Sequence, residues 1–153
     1  MIGHGNLYHN LNLIIEELHA GQDTVVVSWL PQYHDMGLIG SYLGILRCGG
    51  SGFYMSPFSF LKNPLVWIQC ISRYGGTHMQ APNFAFALTV RKFVEHSARL
   101  KESLQLDLSC VRHMINAAEP VDEATLDAFY NTFQPFGLQD GVIFPTYGLA
   151  EHC

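Results

Sequence analysis

The stretch TVVVSWLPQYHDMGLIGSYLGILR, residues 24–47, decides the fold class. Its first seven residues are rich in β-branched side chains and predict a strand over 24–30. From Asp35 to Arg47 the apolar residues return at helical spacing. The small residues of this helix come about one turn apart, and we interpret them as positions where the helix packs closely on a sheet: Gly37, Gly40, Ser41 and Gly44. A strand followed by a short connection and a helix is typical of parallel α/β sheets.

The same alternation continues along the rest of the chain. Helices are predicted over 6–19, 63–74, 82–94 and 122–134. Strands are predicted over 53–56, 77–80, 111–116 and 141–144, and residues 48–52 are predicted to form a loop. Gly21 is expected to end the first helix, and Asp122 to cap the last one. We therefore expect an α/β fold over 1–153, with a mostly parallel sheet and helices on both faces.

The composition of the chain excludes some classes of function. Hydrophobic residues make up 48% of the 153 residues and charged residues 14%, with a formal net charge of −5. The Lys and Arg residues are scattered and form no basic stripe, so nucleic acid is not an expected partner. The longest apolar stretch, around 36–46, is short and broken by glycine, so we expect no transmembrane segment. Four widely spaced cysteines favour reduced, mostly buried thiols and a cytoplasmic protein.

Polar and aromatic residues gather where four of the predicted strands end. The motifs PQYHD, APNF, AAEPV and PTYGLAE follow the strands that end near residues 30, 80, 116 and 144. Because ligands of open α/β sheets bind at the carboxyl ends of the strands, these four motifs predict one composite crevice.

Each residue of these motifs also has a purely structural interpretation. His34 could be a loop imidazole beside Asp35 as a helix N-cap, and a dyad of adjacent residues has poor geometry on a helix. Three other polar residues could serve as a helix cap, a solvated carboxylate and a first-turn helix charge: Asn83, Glu119 and Glu151. Tyr147 could be a core aromatic. No phosphate-binding glycine loop, nucleophile elbow or His-Glu-x-x-His zinc motif occurs in the sequence.

Several motifs together resemble those of fatty-acyl-AMP ligases, members of the acyl-adenylate-forming superfamily that also contains acyl-CoA synthetases and luciferase. The resemblance runs from about Gly3 to the last residue, and the motifs agree in order and spacing: SWLPQYHDMGLIGS, SPFSFLKNPLVWIQCISRY, APNFAFAL, LDLS, NAAEPV and PTYGLAE. It implies that the chain is an internal part of the large N-terminal domain of an AMP-dependent synthetase/ligase. The phosphate loop and the C-terminal subdomain of that family are absent from the 153 residues.

The resemblance implies a reaction and a set of site residues. A fatty acid would react with ATP and Mg²⁺ to give acyl-AMP, and the acyl group would pass to an acyl-carrier-protein thiol or to coenzyme A. Tyr147 would stack on the adenine with Gly148 leaving room, and Ala117, Ala118 and Glu119 would line the adenine and ribose. His34 would orient the carboxylate and the α-phosphate, and Glu151 would bind Mg²⁺ and take part in catalysis. Asn83 and Phe84 would line the acyl tunnel.

The resemblance has limits. Ala117 stands where the family usually has glycine, and its methyl group could crowd the nucleotide unless the local φ is negative. With the phosphate loop missing, the fragment alone is expected to be inactive. Two other interpretations stay open: part of an acyl-CoA synthetase, and a non-catalytic acyl- or nucleotide-binding module.

Overall fold

The computed structural model describes residues 2–100 and 105–148. Within these ranges, parallel strands form one five-stranded sheet in the order β2-β1-β3-β4-β5. The strands are β1 Val25–Ser28, β2 Ser51–Tyr54, β3 His78–Ala81, β4 His113–Asn116 and β5 Ile143–Pro145. The helices are α1 His4–Glu17, a π-helix Met36–Leu43, α2 Gly44–Cys48, α3 Pro57–Lys62, α4 Leu65–Tyr74, α5 Asn83–Leu100, α6 Glu123–Phe133 and a 3₁₀-helix Gln134–Phe136.

Successive residues of a strand point to opposite faces of the sheet, and the two faces are covered by different helices. Val27, Met79 and Met114 belong to the apolar core, which they share with buried side chains of α4, α5 and α6: Trp67, Ile68, Ile71, Ala85, Phe86, Phe129 and Phe133. Their neighbours in the strands bond to elements on the other face. Gln80 donates to Ser41 of the π-helix, and a ring nitrogen of His78 lies 2.9 Å from the carbonyl oxygen of Leu18. The expected parallel α/β sheet with helices on both faces is confirmed.

Most predicted elements are present, with shifted ends. The first helix ends at Glu17, and His19, with φ 48°, takes the left-handed conformation after it, so the role expected of Gly21 was wrong. Residues 48–52 were expected to be a loop, but Ser51 and Gly52 pair with β1 as the start of β2. Helix α5 continues to Leu100, beyond the predicted end at residue 94, and its Phe93 ring packs against Phe133 of α6 and Phe136 of the 3₁₀-helix.

Helix α3 has a sequence signal that the predictions did not use. Ser56 accepts a hydrogen bond from the backbone N–H of Ser59 at 3.1 Å, and Pro57 occupies the first helical position. Both features are typical of a helix start. The six-residue helix places Phe60 in the core, stacked on Trp29 with ring centroids 4.1 Å apart. A separate helix therefore precedes the predicted one over 63–74.

The predicted helix from Asp35 to Arg47 is divided into the π-helix and α2. A Cβ added at Gly37 would overlap the carbonyl oxygen of Pro31, and one added at Gly40 would overlap the side-chain amide of Gln80. Ser41 is fully buried. The interpretation of these small residues as packing positions is confirmed at Gly37, Gly40 and Ser41. Gly44 is buried, but an added Cβ would meet only the Ile39 oxygen, at 3.4 Å.

The described cysteines are free, but not mostly buried as expected. Cys48 and Cys70 are half-buried, and Cys110 is exposed. Burial raises the pKa of the Cys70 thiol, and the nearby Arg73 opposes that shift. Among residues 2–100 and 105–148, no helix combines the length and the apolar character that a membrane crossing requires. The cytoplasmic location stays a prediction.

Candidate functional site

A cavity of about 510 Å³ opens at the carboxyl edge of the sheet. It lies on the face covered by α1 and the π-helix, since Gln80 and Ile115 reach it from that face of β3 and β4. Its walls come from five separate parts of the chain, and the lining residues are Asn10, Ile14, Leu18, His34, Asp35, Met36, Ile39, Gly40, Gln80, Ile115, Ala117, Ala118, Thr146, Tyr147 and Gly148. Three of the four motifs expected to form a composite crevice therefore contribute to one cavity.

His34 lines this cavity, and its ring is held from the Nδ1 side. The Asp35 carboxylate lies 2.7 Å from His34 Nδ1, and the backbone N–H of Met36 lies 3.2 Å from the same nitrogen. In a neutral ring Nδ1 either donates to the carboxylate or accepts from the N–H, so these two contacts exclude each other. The shorter, charge-assisted contact favours a proton on Nδ1. Nε2 is then the ring nitrogen left for a ligand.

The helical backbone begins at Asp35, as predicted, but the alternative in which its side chain caps the helix was wrong. Asp35 has helical backbone angles, φ −55° and ψ −43°, and its side chain makes no capping hydrogen bond. His34 stands before the helix rather than within it, so adjacent side chains can meet. The objection that neighbouring residues make a poor dyad applies only inside a helix. The carboxylate orients the imidazole instead of capping the π-helix.

The turn after β4 forms the opposite wall. Ala117 is buried, and its N–H lies 3.3 Å from the carbonyl oxygen of Ala81 at the end of β3. Ala118 has φ 71°, and the described non-glycine residues with positive φ are this one and His19. A side chain in place of glycine is therefore strained at Ala118, and not at Ala117 as the sequence suggested. The left-handed residue is Ala118, while Ala117 keeps a conformation that suits an alanine.

The segment after β5 supplies an open aromatic surface. The Tyr147 side chain is 83% exposed although it borders the cavity, so the structural alternative of a core aromatic was wrong. A Cβ added at Gly148 would meet no atom within 4 Å. The N–H of Thr146 donates to the carbonyl oxygen of Asn116 at 2.8 Å, which fixes this segment beside the turn after β4. An exposed ring next to free space suits a flat ligand.

Gln80 is a cavity residue that the sequence interpretation missed. Its Nε2 donates to Ser41 Oγ at 3.1 Å, and Ser41 Oγ donates to Ser28 Oγ at 3.3 Å. Ser28 Oγ accepts in turn from the N–H of Leu30 at 3.2 Å. The signal was a long polar side chain in the strand pattern HMQA, between residues that the structure buries. This chain of hydrogen bonds joins the cavity wall to the end of β1.

Three of the predicted site residues do not line the cavity. Asn83 and Phe84 begin α5, which covers the other face of the sheet, and Glu119 reaches toward the same helix. The Glu119 carboxylate accepts a hydrogen bond from the backbone N–H of Phe84. Asn83 Oδ1 accepts from Asn116 Nδ2 at 2.9 Å. Five of the predicted site residues therefore line one cavity: His34, Ala117, Ala118, Tyr147 and Gly148. Asn83, Phe84 and Glu119 do not line it.

The predicted metal ligand, Glu151, lies outside the described residues. Within residues 2–100 and 105–148, no group of three or more His, Cys, Asp or Glu side chains is arranged to hold a metal ion. His34 and Asp35 form an imidazole–carboxylate contact at the cavity, 2.7 Å between Nδ1 and Oδ1.

Comparisons with known proteins agree on one kind of relative. The sequence profile described as AMP-binding enzyme matches residues 1–153. The medium-chain-fatty-acid–[acyl-carrier-protein] ligase JamA of Moorena producens is 38% identical over 151 residues, which are 99% of this chain and 25% of that protein. The long-chain-fatty-acid–AMP ligase FadD32 of Mycobacterium marinum is 38% identical over 154 residues, 98% of this chain and 24% of the relative.

Solved structures give the same result. A fatty acyl-adenylate ligase from L. pneumophila, crystallised with acyl adenylate and pyrophosphate, superposes with a TM-score of 0.91 at 43% identity. The match covers 99% of this chain and 26% of that protein. This chain therefore spans about a quarter of the length of the relatives that it matches.

Proposed function

Because the chain belongs to the family of AMP-binding enzymes, we propose that it forms part of the nucleotide and acyl site of a ligase that activates fatty acids. In this reaction a carboxylate oxygen of the fatty acid bonds to the α-phosphorus of ATP. The bond from that phosphorus to the bridging oxygen breaks, and acyl-AMP and pyrophosphate form. The observation that carries the proposal is the single cavity at the carboxyl edge of the sheet, bordered by Tyr147, Ala118 and His34.

The cavity residues divide between the two substrates. Tyr147 offers a ring face to the adenine, Gly148 leaves space beside it, and Ala117 and Ala118 form the wall along the adenine and ribose. His34 Nε2 faces the point where the carboxylate meets the α-phosphate. A fatty carboxylate is already ionised near neutral pH, so the imidazole has no proton to remove from it. Its role is to orient the reacting groups and to bond to the charge that develops.

The metal and the remaining partners belong to the same proposal and rest on the resemblance to the family. Glu151 would supply a carboxylate oxygen, the ligand type that Mg²⁺ prefers, and the ion would neutralise charge on the phosphates. The acceptor is an acyl-carrier-protein thiol, as the name of JamA states for that ligase, with coenzyme A as the alternative. Residues 1–153 correspond to a part of the N-terminal domain of such an enzyme.

The test is fatty-acid-dependent exchange of pyrophosphate into ATP by the gene product that carries these 153 residues. Tyr147→Ala should weaken ATP binding by about 1–3 kcal/mol, the range found for aromatic stacking on bases. Tyr33→Ala is the matched control, since Tyr33 is 93% exposed and does not border the cavity. Glu151→Gln should abolish exchange. Absence of exchange in the unaltered protein would refute the proposed function, and normal exchange in Glu151→Gln would refute the metal assignment.

A further inference from the structure

Two side chains connect the cavity wall at Ala117 and Ala118 to α5, one from the helix and one from the turn after β4. On the helix, Asn83 Oδ1 accepts from Asn116 Nδ2 at 2.9 Å, and the N–H of Asp122 approaches the same oxygen at 3.4 Å. Asn116 is fully buried and directly precedes Ala117. One amide oxygen therefore holds the turn at its beginning and just beyond its end.

Glu119 makes the second connection, in the reverse direction. Its carboxylate leaves the turn and accepts from the N–H of Phe84 in the first turn of α5. The first N–H groups of a helix have no partner within the helix, and a negative charge is favoured there. The side chains of Asn83 and Glu119 thus cross between the helix and the turn, and together they fix where the turn lies.

The turn needs such support. Ala118 has φ 71°, a left-handed conformation that costs an alanine about 1–2 kcal/mol. Strained residues persist where the surrounding contacts over-determine them. The same turn also holds the segment with Tyr147, through the hydrogen bond from the N–H of Thr146 to the oxygen of Asn116. A displacement of the turn would move both walls that face the nucleotide.

We propose that Asn83 and Glu119 are positioning residues, which act from outside the cavity by holding Ala117, Ala118 and the Tyr147 segment in the geometry that binds the adenylate. This inference rests on the proposed function. It assigns to both residues a role different from direct contact with substrate. Asn83 and Glu119 affect ligand binding only by fixing the position of the backbone of the turn.

The experiment uses the gene product that carries these 153 residues and compares two substitutions of Glu119. Calorimetry measures the affinity for an acylsulfamoyl adenosine, a hydrolysis-resistant analogue of the acyl-adenylate. Glu119→Ala removes the acceptor for the Phe84 N–H and should raise the dissociation constant about tenfold. Glu119→Gln keeps an acceptor oxygen at the same reach and should bind within about twofold of the unaltered protein. Asn83→Ala removes the other connection and should resemble Glu119→Ala.

Ser56→Ala is the control for a purely structural effect. It deletes the hydrogen bond that caps α3, at a residue that does not line the cavity, and should lower the melting temperature without changing the affinity. Equal loss of affinity in Ser56→Ala and Glu119→Ala would overturn the positioning role, as would unchanged affinity in both Glu119→Ala and Asn83→Ala.

The two proposals fail in different ways. If the unaltered protein does not bind the adenylate analogue, the proposed function is refuted, and the positioning role with it. If it binds and Glu119→Gln is as weak as Glu119→Ala, only the positioning role is refuted. Should Glu119→Ala not fold, the pair Asn83→Ala and Ser56→Ala decides between the same outcomes.

Discussion

Ala118 carries the backbone strain of the cavity wall. Its left-handed conformation, φ 71°, is ordinarily reserved for glycine, while its neighbour Ala117 stays outside that region. Backbone strain of this kind concentrates at functional sites, where the position of the chain matters more than its local stability. The turn after β4 fits this description because it forms a wall of the cavity.

Exchanging these two alanines for glycine should have opposite effects on stability. Ala118→Gly relieves the strain of a Cβ at positive φ, which exceeds the extra entropy of glycine, and should raise the free energy of unfolding by about 0.5–1 kcal/mol. Ala117→Gly gains no such relief and should lower it by about 0.5–1 kcal/mol. Urea denaturation of both variants measures the difference. A loss of stability in Ala118→Gly would contradict the strain at this residue.

The π-helix is the element that brings one cavity wall close to the sheet. Its wider backbone turn places Met36, Ile39 and Gly40 at the cavity, and Gly37 lies against the backbone of Pro31. Single π-turns in helices are frequent at functional sites. The close approach requires glycine at Gly37, where an added Cβ would overlap backbone atoms, whereas at Gly40 it would overlap only the end of the Gln80 side chain.

Gly37→Ala should be strongly destabilising. The new Cβ would overlap the Pro31 carbonyl, a backbone group that cannot move without shifting the end of β1, and overpacking of this kind costs about 1–3 kcal/mol. Gly5→Ala in α1 is the matched control, since a Cβ there meets no atom within 4 Å and alanine favours a helix by about 1 kcal/mol. Thermal denaturation compares them. Equal stability of the two variants would refute the close contact.

Two histidines form a stacked row across neighbouring strands, away from the cavity. The ring of His113 stacks on His78 and on Phe144, with centroids 4.8 Å and 5.1 Å away. Burial lowers the pKa of His78, although its bond to the Leu18 carbonyl opposes the shift. Burial also lowers the pKa of His113, with a further contribution from His19. Both rings therefore resist protonation in the folded chain.

Stability should fall on mild acidification. A histidine whose pKa is lowered by folding contributes stability above its unfolded pKa of about 6.5, and this contribution is lost as the pH falls toward the folded pKa. Between pH 7.5 and 5.5 the free energy of unfolding should therefore decrease, since the unfolded chain binds more protons than the folded chain in this range. His113→Phe keeps the stacked ring and removes one titrating group, so its decrease should be smaller. Urea denaturation at the two pH values tests this, and a rise in stability at pH 5.5 would contradict it.

At the scale of the whole molecule, large apolar side chains remain on the surface. Tyr33, Phe58 and Leu46 are 93%, 81% and 68% exposed, and β2 is an edge strand of the described sheet. Exposed apolar groups and free strand edges favour association with other protein surfaces.

The isolated 153-residue chain should therefore self-associate at micromolar concentrations. Phe58→Lys should reduce this association, because it replaces an apolar surface group with a charge. Gln69→Lys on α4 adds the same charge at an exposed polar position and should have a smaller effect. Light scattering at several concentrations measures the mean mass. A monodisperse monomer throughout would contradict the prediction.

The α/β class and the edge of the sheet that carries the cavity could both be predicted from the sequence alone. Strands with β-branched residues alternate with amphipathic helices, and parallel strands place all their carboxyl ends together. Local patterns such as PQYHD and NAAEPV could therefore be assigned to one edge before any contact was known.

Which residues of those motifs face the cavity depends on the packing of distant elements and could not be predicted from local sequence. Side chains alternate between the two faces of a strand, so Gln80 reaches the cavity while α5, with Asn83 and Phe84, begins on the opposite face. The bond between Glu119 and Phe84 and the left-handed angle of Ala118 depend on how a turn and a helix meet. Such contacts join residues far apart in the chain, and no local sequence pattern specifies them.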